Sequence, residues 1–139
     1  MKLTNILTGP KPSLSFEVFP PKTSDSFESV QKAVIEIAAL KPSYMSVTYG
    51  AGGGTSAYTV QIAESLKAAG VTPLAHLSCI SSNKENVQAM LTKLKEAGIE
   101  NILALRGDIP AGQPLHNPEY KYASDLIKEI IKKVTNATK

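Results

Sequence analysis

Four short apolar runs punctuate the chain: Leu14–Phe19, Tyr44–Tyr49, Thr72–Ser78 and Asn101–Arg106. Their starts lie roughly 30 residues apart, the length of one strand–loop–helix unit. Each run leads into a loop with Gly, Pro, Ser or Thr, and then into a segment with helical spacing of apolar residues. The first such segment spans Asp25 to Leu40, with Phe27, Val30, Val34, Ile37 and Ala38 on one stripe. Asp25 or Ser26 is the expected cap, and Lys41-Pro42 ends the helix. A second helix is expected from Ser56 to Ala69, stopping at Gly70. A third runs from Asn83 to Ala97, presents Val87, Met90, Leu91 and Leu94, and stops at Gly98. A fourth, Ser124 to Val134, presents Leu126, Ile127, Ile130 and Ile131.

Strands that alternate with helices imply parallel strands joined by right-handed crossovers. Two α/β architectures satisfy this pattern, an open doubly wound sheet and a (β/α)8 TIM barrel. Periodicity alone does not separate them. Glu17, Thr48, Tyr49, His76, Ser78, Arg106 and Asp108 all fall in or just after the carboxyl part of an expected strand, the edge that carries the chemistry in both. Residues 1–139 read as one domain of four βα units, without a second domain. Four units are half of an eight-stranded barrel, so a fifth strand is expected after the last helix. An open four-stranded sheet exposes an apolar inner face and two unpaired edges. The expectation is therefore a partial chain, or a half-barrel that pairs with another chain or with a missing C-terminal half.

Composition narrows the class. The chain has 139 residues, 42% hydrophobic and 19% charged, which is a globular rather than a disordered balance. Its net charge of +3 comes from interspersed charges. Lys132–Lys133 and the final Lys139 are too thin a cluster to argue for nucleic acid, and lysines in a last helical turn suit the helix dipole. The one cysteine, Cys79, allows no internal disulfide and points to a reducing compartment. The opening MKLTNILTGPKPS lacks the apolar run of a signal peptide or a membrane span, so a cytoplasmic location is expected.

Four segments carry candidate chemistry. In Ser15-Phe16-Glu17-Val18-Phe19-Pro20-Pro21-Lys22-Thr23, a carboxylate sits inside an apolar strand, where burial is costly without a partner or a proton. In a barrel, Glu17 would face the lumen, where burial raises its pKa and suits it to general-acid work. A structural glutamate bonded to a neighbouring strand fits the pattern equally well. Ser46-Val47-Thr48-Tyr49-Gly50-Ala51-Gly52-Gly53-Gly54-Thr55 leads into a helix, so Gly52–Gly54 could bring amides close to an anion. It is neither a Walker loop nor GxGxxG, and a merely flexible loop fits as well. In Ala75-His76-Leu77-Ser78-Cys79, the histidine has no second ligand at metal spacing. His116 lies apart in a Pro-rich loop, so no zinc site is expected. Cys79 reads as a small core residue. Leu103-Ala104-Leu105-Arg106-Gly107-Asp108-Ile109-Pro110 places a cation and a carboxylate at a strand end. They serve either one pocket or a local pair that steadies a turn.

Taken together, FEVFPPKT, SVTYGAGGGT, AHLSCI and NILALRGDIP followed by YASDLI resemble the methylenetetrahydrofolate reductase family, from about Leu14 to Leu126, in its order and spacing. That resemblance implies a (β/α)8-barrel flavoenzyme of one-carbon metabolism whose product serves methionine biosynthesis. It would reduce 5,10-methylenetetrahydrofolate to 5-methyltetrahydrofolate, with FAD as cofactor and NADH or NADPH as co-substrate. It implies Glu17 as the general acid that opens the substrate's five-membered ring, and Asp108 as the aspartate near flavin and pterin. Thr48, Tyr49, Ala51, His76, Arg106, Gly107, Asp108, Tyr122 and Ala123 would line the FAD site, with Thr48 also near the nicotinamide. The family's enzymes are usually homo-oligomers. Two other readings stay open: a half-barrel that dimerises or binds flavin without turnover, and a different barrel enzyme that takes a phosphate-bearing substrate at Gly52–Gly54.

Overall fold

The computed structural model describes residues 1–50, 56–109, 112 and 118–136. Its elements, in order, are α1 (Leu3–Leu7), β1 (Ser15–Val18), a 3-10 turn (Ser24–Ser26), α2 (Phe27–Ala38), β2 (Tyr44–Val47), α3 (Ser56–Ala68), β3 (Pro73–Ser78), α4 (Lys84–Glu96), β4 (Ile102–Leu105) and α5 (Ala123–Asn136). All four expected strands and helices are present. The short α1 is an addition that the polar opening of the chain did not suggest.

Helix ends follow local chemistry. Asn83 caps α4, its Oδ1 accepting from the Asn86 amide at 2.8 Å. α3 and α4 end at Gly70 and Gly98, both at positive φ. There the Val71 amide donates to the Leu66 carbonyl at 3.0 Å and the Ile99 amide to the Leu94 carbonyl at 2.9 Å. This is the closing bond of a glycine C-cap. At the end of α2 the left-handed position falls to Lys41, with φ 56°. The expected cap of α2 is corrected: Ser26 occupies the N-cap position without a side-chain capping bond. The 3-10 turn feeds the helix instead, the Ser26 amide donating to the Thr23 carbonyl at 3.3 Å.

The sheet is parallel throughout, in the order β1-β2-β3-β4. That order resolves what periodicity left open. A doubly wound sheet reverses its strand order part-way and takes helices on both faces. Sequential strands with crossovers of one hand place successive helices on one face, which is how a barrel is built. The register follows that division. Phe16 pairs with Met45, Val18 with Val47, Val47 with Ala75, and Leu77 with Ala104. These side chains join one core with Val34 and Ala38 of α2, Ala63 and Leu66 of α3, Val87, Leu91 and Leu94 of α4, and Leu126 of α5. Alternation sends Glu17, Ser46, Leu74, His76, Ser78, Leu103 and Leu105 to the opposite face.

At the amino end of the sheet, buried Asn101 ties the start of the chain down. Its Oδ1 accepts from the Leu3 amide at 2.7 Å, and its Nδ2 donates to the carbonyls of Met1 at 3.0 Å and Pro73 at 3.2 Å. The two faces should respond differently to substitution. Leu77 is fully buried whereas Leu103 is 40% exposed. Leu77→Ala is expected to cost about 2–5 kcal/mol. Leu103→Gln should stay within about 0.5 kcal/mol of the parent in urea unfolding. Equal losses would mean that both faces are packed alike.

Candidate active site at the carboxyl edge of the sheet

Three strands contribute one polar side chain each to a single point. Glu17 of β1 lies directly opposite Ser46 of β2. The Ser46 hydroxyl donates to Glu17 Oε2 at 3.3 Å, and His76 Nε2 of β3 lies 3.5 Å from the same oxygen. Ser46 and His76 are buried. The burial expected of Glu17 is corrected: its side chain is 48% exposed, because the face it occupies carries no helix. Burial lowers the pKa of His76 below the ordinary histidine value, and the Glu17 charge offsets part of that. The imidazole is therefore neutral at neutral pH.

A second group forms where β3 and β4 run out. The Ile80 amide donates to the Arg106 carbonyl at 2.8 Å, continuing the ladder past both strands. Gly107 follows with φ 79°, so close to β3 that an added Cβ would lie 2.9 Å from the Ser78 Cβ. Glycine is required here on both counts. The Arg106 Nε donates to the Lys121 carbonyl at 3.3 Å, and the Cys79 thiol donates weakly to the Tyr122 carbonyl at 3.7 Å. Asp125 completes the anchor by accepting from the Lys121 and Tyr122 amides at 3.2 and 3.0 Å. The Tyr122 ring and the Arg106 guanidinium stay exposed above the fixed backbone, with Ala123 opening α5. Asp108 is exposed on the segment that leaves this group. No ion pair joins Arg106 to Asp108 among the described residues, so Arg106 steadies the turn through a carbonyl rather than through that carboxylate.

The other expected residues divide. The Thr48 amide donates to the Val18 carbonyl at 3.0 Å, and the Thr48 carbonyl accepts from the Thr59 hydroxyl at 3.0 Å, which pins the end of β2 to α3. The Tyr49 side chain turns toward the core. Its ring packs against the core and lines a cleft with Ser56, Ser82, Asn86 and Lys93, away from Glu17. Burial pushes its phenol up, and a bond with Ser82 partly offsets that. Cys79 is wholly buried, and burial raises its thiol pKa, as suits an unreactive core residue. Ala51, Gly52–Gly54 and His116 lie outside the described residues. No cluster of His, Cys, Asp and Glu suited to a metal occurs among the described residues.

Ser46 is the residue that motif reading missed. Its signal was positional: it stands in the second strand where Glu17 stands in the first. Nothing within either segment reveals that register.

The family model for methylenetetrahydrofolate reductase matches residues 2–138. The chain is 39% identical to the 5,10-methylenetetrahydrofolate reductase of Pectobacterium carotovorum subsp. carotovorum over 116 residues, 83% of this chain and 38% of the relative. It is 37% identical to the protein of the same name from Escherichia coli (strain K12), with the same coverage. A relative from Zea mays, methylenetetrahydrofolate reductase (NADH) 1, is 39% identical over 102 residues, 73% of this chain and 17% of that protein. The chain thus spans 38% of the length of the two bacterial relatives.

Two outcomes follow from the site's local physics. Gly107→Ala should cost about 1–3 kcal/mol in urea unfolding, from the left-handed backbone and the contact with Ser78. A variant as stable as the parent would contradict the close approach. His76 has a lowered folded pKa, so the stability it contributes is fully present above about pH 6.5 and declines as pH falls through the lowered value. His76→Gln should therefore flatten the fall of unfolding free energy below pH 6.5. An unchanged slope would contradict it.

Proposed function

This chain belongs to the methylenetetrahydrofolate reductase family, and from that premise we propose that it supplies the first four βα units of a cytoplasmic flavoenzyme. That enzyme reduces 5,10-methylenetetrahydrofolate to 5-methyltetrahydrofolate at the expense of NADH or NADPH. The observation that carries this reading is the convergence of Glu17, Ser46 and His76 on the helix-free face, at the sheet edge that also bears Arg106, Gly107 and Asp108.

The donor set suits FAD. Arg106 offers an exposed guanidinium that is already oriented through Nε, the fork geometry that phosphates accept. Tyr122 offers an exposed ring, while Gly107, Thr48 and Ala123 present backbone at the same edge. Ala51, Tyr49 and His76 belong to the same proposed lining, Tyr49 through its backbone. A bound FAD supplies the hydride-carrying ring for the reaction. The protein's own part is acid–base work and orientation. Glu17 gives its proton to the departing nitrogen of the substrate's five-membered ring as the carbon–nitrogen bond opens, and Asp108 borders the pterin and the flavin. Half-exposed as it stands, Glu17 gains its dry surroundings from whatever closes the open face.

A second reading is favoured by one feature. α4, β4 and α5 enclose an apolar groove of about 800 Å³, and Ile127, Ile131 and Val134 of α5 are exposed along it. Together with the unpaired outer edges of β1 and β4 among the described strands, this supports a half-barrel that pairs with a second copy or a C-terminal half.

Titration of the chain with FAD, followed by flavin fluorescence, tests the proposal. Saturable binding is expected, weakened about tenfold or more by Arg106→Ala and by Asp108→Ala, as loss of a charge-assisted contact implies. Binding that both variants leave unchanged would overturn the assignment of that edge. In a complete barrel, Glu17→Gln should lower turnover about 10²-fold or more while nicotinamide still reduces the flavin.

A further inference from the structure

Ser46 and His76 are both buried, yet both address a carboxylate whose side chain is 48% exposed. They also address the same atom. Ser46 Oγ lies 3.3 Å and His76 Nε2 3.5 Å from Glu17 Oε2. The Ser46 hydroxyl and the His76 ring therefore meet on one oxygen of the carboxyl group. An exposed glutamate on a strand is otherwise free to rotate into water, and side-chain entropy favours its doing so.

We propose that Ser46 is a positioning residue: its hydroxyl tethers Glu17 to β2 within reach of His76. What the tether serves rests on the reading of Glu17 as a general acid, whereas the tether itself does not. The register supports a dedicated contact, since Glu17 and Ser46 are direct partners across β1 and β2. Buried His76 supplies the second wall, and Glu17 is the charged side chain acting on it among the described residues. His76 therefore reports on where the carboxylate is.

The test follows the imidazole titration of His76 by NMR in the 139-residue chain, with His116→Gln to assign the second histidine signal. Glu17→Gln should shift the His76 midpoint downward, because the negative charge that raises it is removed. Ser46→Ala should shift it part of the way in the same direction, as an untethered carboxylate moves out to water. Ser46→Thr, which keeps the hydroxyl, should restore the parent value. Where Ser46→Ala does not fold, Ser46→Cys, similar in volume but a poor donor, should give the same partial shift. A midpoint unmoved by loss of the hydroxyl, or a threonine variant that behaves like alanine, would overturn the tether. Failure of flavin binding would overturn the functional reading and leave this pattern in place. Loss of the pattern with flavin binding intact would overturn only the tether.

Discussion

The sequential parallel pairing of four strands is the constraint on which the rest of this structure depends. Crossovers of one hand, taken between neighbouring strands, stack their helices on one face of the sheet. The apolar alternates of every strand then turn toward those helices, and the other alternates face a surface that no helix covers. On that second surface a glutamate, a serine and a histidine can share one point without disturbing the core. The carboxyl edge gathers the loops, so the residues proposed to hold a cofactor and the one proposed to move a proton meet there.

β3 is the element that makes the edge rigid. It pairs on both sides, and all six of its residues are buried, including His76 and Ser78 on the helix-free face. The loops at its end inherit that order. Cys79 and Ile80 extend its hydrogen bonding to Arg106, and Gly107 rests against Ser78. Asp125 and Cys79 then hold the backbone at Lys121 and Tyr122. Arg106 and Tyr122 can thus be exposed and still positioned, since the fixed part is main chain and the free part is side chain. β4 contrasts with β3. Leu103 and Leu105 are exposed on a strand with one neighbour, and the groove beside α5 is apolar.

Much of this was legible in the sequence, for reasons that particular residues make plain. The strands and helices stand out because their apolar spacing is local and because Gly70, Gly98 and Asn83 mark helix ends chemically. Cys79 reads correctly as core. α1 escaped notice because its five residues are held by Asn101, nearly a hundred positions away. Barrel and doubly wound sheets share one local pattern, and only the strand order separates them. The contact of Ser46 with Glu17 depends on register between strands 29 positions apart, which no local spacing encodes. Tyr49 was expected at the site from the family resemblance, and strand alternation turns its ring toward the helices. Glu17 was expected to be buried because a closed barrel was assumed around it, and four strands leave it half open.

The most direct test of the central claim, that chemistry is confined to the carboxyl edge of the helix-free face, is chemical-shift mapping of the backbone amides on addition of FAD. The account predicts perturbations at Thr48, His76, Arg106, Gly107, Asp108, Tyr122 and Ala123, with the helical face and the groove beside α5 unmoved. Perturbations centred on that groove or on the helices, or none at saturating flavin, would contradict it.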